Sequence, residues 1–231
     1  RKIYSTGAPI LKWYAVWAKT DEQDTRVGQF LVPAGLPGTR IEETWDHLGL
    51  RASGSHTVVF DDVVFPLDYE IDVRKPDDWK VPDVTQATVH AIFVAAIYDG
   101  IARAARDWLV KFLKERVPAN LGAPLATLPR MQEVAGGIEA RLAVNARLID
   151  SFASDFDNGF PLSAIESNII KLTVTNNAAA VVEDALSLTS NHGLSRTNPL
   201  ERHYRDVLCG RVHTPQDDST RVAAGRFALG V

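Results

Sequence analysis

The feature that most constrains this chain is a change of hydrophobic period. Over residues 1–66 the apolar residues fall in short runs, at 13–18, 29–33 and 58–65. These runs are rich in Val, Phe and Trp and are separated by Gly, Pro and Asp clusters, so they read as strands. From residue 85 the spacing becomes three or four, with Val89, Phe93, Ile97, Ile101, Ala104, Trp108 and Phe112 forming the apolar stripe of a long helix. A second helix is expected over 128–155 and a third over 163–190, with Pro129 and Ser163 as start signals. A fourth begins near Asp217 or Asp218, which read as N-caps, and carries Val222, Ala223 and Phe227. Residues 67–84 hold Pro76, Pro82 and six acidic side chains, a composition that suits an exposed linker. The expected fold class is α+β. A partial antiparallel β-barrel or sandwich over 1–84, incomplete on its N-terminal side, precedes an antiparallel four-helix bundle over 85–231.

Composition narrows the function. Of the 231 residues 45% are hydrophobic, enough for a sizeable core, and a formal net charge of −4 with no Lys/Arg cluster argues against nucleic acid. Cys209 is the single cysteine, so an internal disulfide framework is excluded, and no Cys/His grouping has zinc spacing. This fits a reducing, cytoplasmic setting without a structural metal. No apolar run reaches the roughly 18 residues of a membrane span. Asn145, Asn176 and Glu183 fall on apolar stripes and read as satisfied buried polar groups or intersubunit contacts.

Residues 45–68, WDHLGLRASGSHTVVFDDVVFPLD, carry Leu-Gly-x-Arg-x-Ser, then a strand, then Asp-x-Val-x-x-Pro. This segment resembles the middle β-domain of the acyl-CoA dehydrogenase superfamily. The other segments agree in order: RKIYSTGA at 1–8 resembles the flavin-facing strand, and GIARAARDWLVKFLKER at 100–116 the first C-terminal helix. ALSLTSNHGLSRTNPLERHYRDV at 185–207 resembles the glycine turn and the helix after it. The resemblance implies a further N-terminal helical domain ahead of Arg1 and a homotetramer. In the dehydrogenases a glutamate removes a proton beside a thioester carbonyl. Its usual position falls here on Thr214, followed by Pro215-Gln216, and the alternative position used by some members falls on His90. Neither is a carboxylate.

The string HTPQDD at 213–218 and LERHYRDV at 200–207 are similar to the dibenzothiophene monooxygenase branch. That likeness implies reduced FMN from a separate, diffusible flavin reductase, O2 as co-substrate and a flavin hydroperoxide that oxygenates a small organosulfur, nitrogen or aromatic substrate. FAD is the alternative cofactor. On this reading His213 and His90 are the catalytic candidates. Tyr4, Ser5 and Thr6 would face the isoalloxazine ring, and Arg116, whose planar fork suits phosphate, would reach the flavin phosphate. Ser190, Asn191 and Gly193 replace the glycine turn, where a glycine permits close backbone approach. The bland readings are a capping His213, a half-buried His90 and a dipole-compensating Arg116. Arg205-Asp206 reads as a structural ion pair. Two other functions remain open: an acyl-CoA dehydrogenase whose base comes from elsewhere, and a non-catalytic scaffold.

Overall fold

Alternation drives the first strand, β1 (Trp13–Lys19): Tyr14, Val16 and Ala18 turn inward, while Trp13 and Trp17 stay at the surface. Those two tryptophans meet Tyr69 and Trp79 edge to face, with ring centroids 5.4 and 4.5 Å apart. β1 pairs antiparallel with β2 (Val27–Pro33). The other strands are β3 (Thr39–Glu42), β4 (Thr57–Phe60) and β5 (Glu70–Arg74). They form a three-stranded sheet ordered β1-β2-β5, bulged at Gln29/Phe30, and a separate β3-β4 ladder. The computed structural model describes residues 1–80, 83–161 and 163–231, and the chain divides into two compact units, Arg1–Pro82 and Asp83–Val231.

Three expectations for the β unit are corrected. Among the described residues the sheet does not close into a barrel; it stays small and antiparallel. The expected linker contributes β5, in which Glu70, Asp72, Val73 and Arg74 pair antiparallel with β2; Pro82 lies outside the described residues. The strand expected over 58–65 ends at Phe60, after which Asp62 takes a left-handed backbone, φ 49°. Ala8, Tyr14, Val32 and Val58 form the core of this unit, with Phe30, Phe60 and Phe65 packed on it.

The second unit is helical: α1 (Val84–Glu115), α2 (Pro129–Asp157), α3 (Ala164–Thr189), α4 (Asn191–Leu194), α5 (Leu200–Val207) and α6 (Asp217–Leu229). Asp83 caps α1 by accepting from the Gln86 N–H, Ser163 caps α3 by accepting from Glu166 N–H, and Pro129 opens α2. The four expected helices are present, with two short ones between the third and fourth. The most extensive packing joins α1 to α3, and α2 lies on both.

The expected α1 stripe is the wrong face. Phe93 and Ile97 are 66% and 53% exposed, while Ala91, Ala95, Ala102 and Ala105 are fully buried. The small residues lie on the packed side of both helices: α1 and α3 make the most extensive contact in the unit, and Ala178, Ala179 and Ala185 of α3 are buried as well. By length and composition α1 could also cross a membrane, but it lies against α2 and α3. Inside the bundle Asn145 is fully buried and fully used: it donates to Asp99 Oδ1 at 2.9 Å and accepts from Asn177 at 2.9 Å. Arg103 holds the other Asp99 oxygen at 2.6 Å. Asp217 is not an N-cap. Gln216 occupies that place, and the Asp217 side chain turns inward to accept from Asn176 at 2.9 Å.

Candidate functional site

The C-terminal corner begins where α5 ends. A tight turn over 208–211 follows, then a short loop that carries His213 to the start of α6. Gly210 permits this path: a Cβ there would lie 3.3 Å from the Tyr98 ring and 3.2 Å from Thr175 Cβ, so a larger residue would push the turn off α1. The His213 N–H donates to Cys209 O at 3.1 Å. Its imidazole is exposed on one side and meets Tyr98 edge to face on the other, with Nδ1 3.0 Å from the Tyr98 hydroxyl.

Tyr98 is fully buried, and burial pushes its pKa well above the phenol range, reinforced by Cys209 and Asp206. It therefore stays a phenol, and since His213 Nδ1 is its hydrogen-bond partner among the described residues, donation to Nδ1 is the arrangement that leaves no buried O–H unpaired. That assigns the proton of neutral His213 to Nε2. Partial burial pulls the His213 pKa below the ordinary histidine value, and the charges of His90 and Lys171 pull in the same direction. His90 lies on α1 about two turns before Tyr98, exposed rather than half-buried, and its effect on His213 places it within electrostatic reach. The two catalytic candidates thus come together on one corner.

The other candidates lie elsewhere. Ser190 adopts φ 51° as the hinge between α3 and α4; with Asn191 it lines an open groove beside Glu183, Leu186, Leu194 and Tyr204. That lining includes neither His90 nor His213. Gly193 is held by packing. It is buried, and a Cβ would fall 2.2 Å from Thr189 Oγ1, so packing demands the glycine. Arg116 is an exposed C-cap of α1, its N–H bonded to Phe112 O and its carbonyl accepting from Leu125 N–H. Arg205 pairs with Glu201 at 2.9 Å, one helical turn away.

In the β unit Tyr4, Ser5 and Thr6 do not lie on a strand. Lys2 makes one bridge to Val58, and Tyr4 then takes φ 56°, which breaks the extended path. All three line a recess of about 330 Å³ with Leu11, Tyr14 and Trp17. Tyr4 is 62% exposed, with Trp45 and His47 edge-on to it at 6.1 and 5.7 Å and stacked on each other. Thr6 Oγ1 bonds Ser55 Oγ at 3.1 Å, and Ser5 donates to Lys2 O.

Two residues escaped the sequence reading. Tyr98 could have been found from its eight-residue spacing to His90. Lys171 stands alone as a charge within Ile-Ile-Lys-Leu-Thr-Val, a run that a surface helix face does not need.

Residues 83–217 match the acyl-CoA dehydrogenase C-terminal domain, and residues 1–63 match the middle domain. The chain belongs to the acyl-CoA dehydrogenase family. Among relatives in that family, YdbM of Bacillus subtilis (strain 168), which carries an acyl-CoA dehydrogenase name, is 33% identical, the match covering 98% of this chain and 59% of that protein. The L-evernosamine nitrososynthase of a Micromonospora species is 34% identical over 100% of this chain and 56% of its own length. A solved structure of KijD3 with FMN and a dTDP-3-amino sugar superposes with a TM-score of 0.83 at 28% identity, covering 99% of this chain and 58% of that one. The chain therefore spans less than two thirds of the length of each of these family members.

Proposed function

We propose that the protein is a reduced-flavin-dependent monooxygenase of the acyl-CoA dehydrogenase fold, related in chemistry to the dibenzothiophene monooxygenase branch. The observation that carries this reading is the His213 corner: Thr214 and His90 stand where the resemblance puts a dehydrogenase glutamate, and His213 beside them is oriented by Tyr98. A neutral imidazole with its proton on Nε2 can donate a hydrogen bond to an oxygen atom. With Nε2 protonated and the Nδ1 lone pair held by the Tyr98 hydroxyl, the ring has no free basic nitrogen to turn on a carbon acid.

The β unit suits a flat cofactor. Tyr4 presents an exposed ring backed by Trp45 and His47, and Ser5 and Thr6 place hydroxyls at the rim of the same recess. When bound, reduced FMN supplies the two electrons that let one atom of O2 enter the substrate while the other leaves as water. FMN rather than FAD is favoured by the KijD3 complex. The nitrososynthase relative favours an amine as the oxygenated group. A separate flavin reductase would supply the reduced cofactor, and a homotetramer is the expected assembly.

The test supplies the chain with reduced FMN, isotopically labelled O2 and a panel of amines, thioethers and phenols. Labelled oxygen in one product supports the reading. His213→Ala should keep flavin binding and fold but lose at least about tenfold in product while reduced flavin is still consumed, the range of a lost acid–base or hydrogen-bonding group. Bleaching of oxidised flavin by an acyl-CoA under anaerobic conditions would replace this reading with a dehydrogenase. Failure to bind either flavin would point to a scaffold.

A further inference from the structure

Lys171, on α3, has no exposed side-chain surface. Its ammonium donates to Gly210 O at 2.7 Å and lies 3.5 Å from Asp217 Oδ1, while the second Asp217 oxygen accepts from Asn176. Gly210 and Asp217 stand at the two ends of the segment 211–216 that carries His213. One buried cation therefore ties down both ends of the loop. A buried ammonium is costly, and hydrophobic side chains of similar volume usually replace a buried ion pair without loss of stability. Core packing alone gives little reason to keep it.

We propose that Lys171 and Asp217 are positioning residues that hold the His213 loop against Tyr98. The assignment rests on the reading of His213 as the group that acts on the oxygenated substrate. Held this way, the loop keeps the imidazole at hydrogen-bond distance from the Tyr98 hydroxyl and keeps its proton on Nε2. The groups facing His213 are Tyr98 and His90 from α1 and Lys171 from α3. Tyr98 also feels Cys209 and Asp206, and Asp217 lies within 3.9 Å of Arg221 on α6. Lys171 is itself pulled below the usual lysine pKa by burial and pulled back by Asp217.

The experiment follows the imidazole of His213 by NMR through a pH titration of the 231-residue chain without flavin, alongside thermal unfolding. Lys171→Met keeps the side-chain volume and removes the charge. It should move the His213 midpoint upward, toward the ordinary histidine value, and spread the neutral ring over both tautomers. Loss of the charge alone raises the midpoint, so the tautomer is the readout of position: a lower melting temperature with the ring still on one tautomer is a purely structural role, and that result overturns the proposal. If Lys171→Met does not fold, Asp217→Asn retains an acceptor for Asn176. The substitution removes the carboxylate that the ammonium faces and releases the loop at that end, so the neutral ring should again spread over both tautomers; an unmoved tautomer ratio overturns the proposal equally. Arg221→Ala, at an exposed guanidinium, should leave the midpoint unchanged, and a rise as large as that of Lys171→Met would assign the effect to general surface charge instead. Because no flavin is present, these outcomes stand apart from the success or failure of the monooxygenase assay.

Discussion

The two units handle charge in opposite ways. In the β unit the ion pairs lie at the surface: Arg26 spans Glu22 and Glu70, and Arg74 pairs with Asp72 beside Trp79, over an aliphatic and aromatic core. The helical unit puts polar groups inside, with Asp99, Asn145 and Asn177 joining α1, α2 and α3, and Lys171 joining α3 to the start of α6. Surface pairs are screened and worth little, whereas a buried polar group is expensive unless every partner is present. The difference teaches that the helical interior is keyed. Its buried groups select one register of the bundle, and through that register one geometry for the corner that bears His213.

Substitutions at the centre of the bundle should break this contrast most. Asn145→Leu strands the inward oxygen of Asp99 and the amide of Asn177, and should lower the unfolding free energy by about 2–4 kcal/mol in urea titration. A loss near zero would mean that the polar interior selects nothing. Gly193→Ala forces a methyl into Thr189 and should cost about 1–3 kcal/mol by the same measurement. Tyr98→Phe removes one hydrogen bond, about 1 kcal/mol, yet should abolish the tautomer preference of His213 seen by NMR.

A smaller effect comes from pH. Folding lowers the His213 pKa from 6.5, so the unfolded chain takes up that proton first; above about pH 6.5 the group contributes nothing, and as pH falls below it the fold loses stability. His203 shifts the same way through burial, so His213→Gln should flatten only part of the acid slope in melting temperature. The least effect is expected in the β unit: Glu22→Gln at the exposed Arg26 pair should leave the urea midpoint in place, and a clear drop would erase the contrast between the units.

Much of the fold could be read along the chain, because local rules decide local structure. The period change near residue 85, Pro129 at the start of α2 and Ser163 at the cap of α3 all act within a few residues. Face selection on α1 was not legible. Two apolar faces compete there, and it is the packing against α3 that leaves Phe93 and Ile97 outside. The strand β5 was hidden for a related reason: an acidic, proline-flanked segment reads as linker until β2 offers it an unpaired edge.

The candidate site divides along the same line. His213, His90 and the threonine at position 214 are facts of the sequence, and the proposed function starts from them. Residues far apart in the chain supply what the sequence withheld: Tyr98 is 115 positions from the histidine it orients, and Lys171 is 39 from the carbonyl it holds. The chain by itself determined its helices, the starts of α2 and α3 and its chemical repertoire, since these depend on neighbours in sequence. Only the tertiary structure decided which faces are buried and which polar groups meet, since desolvation and hydrogen bonding at this corner exist only once α1, α3 and α6 have packed.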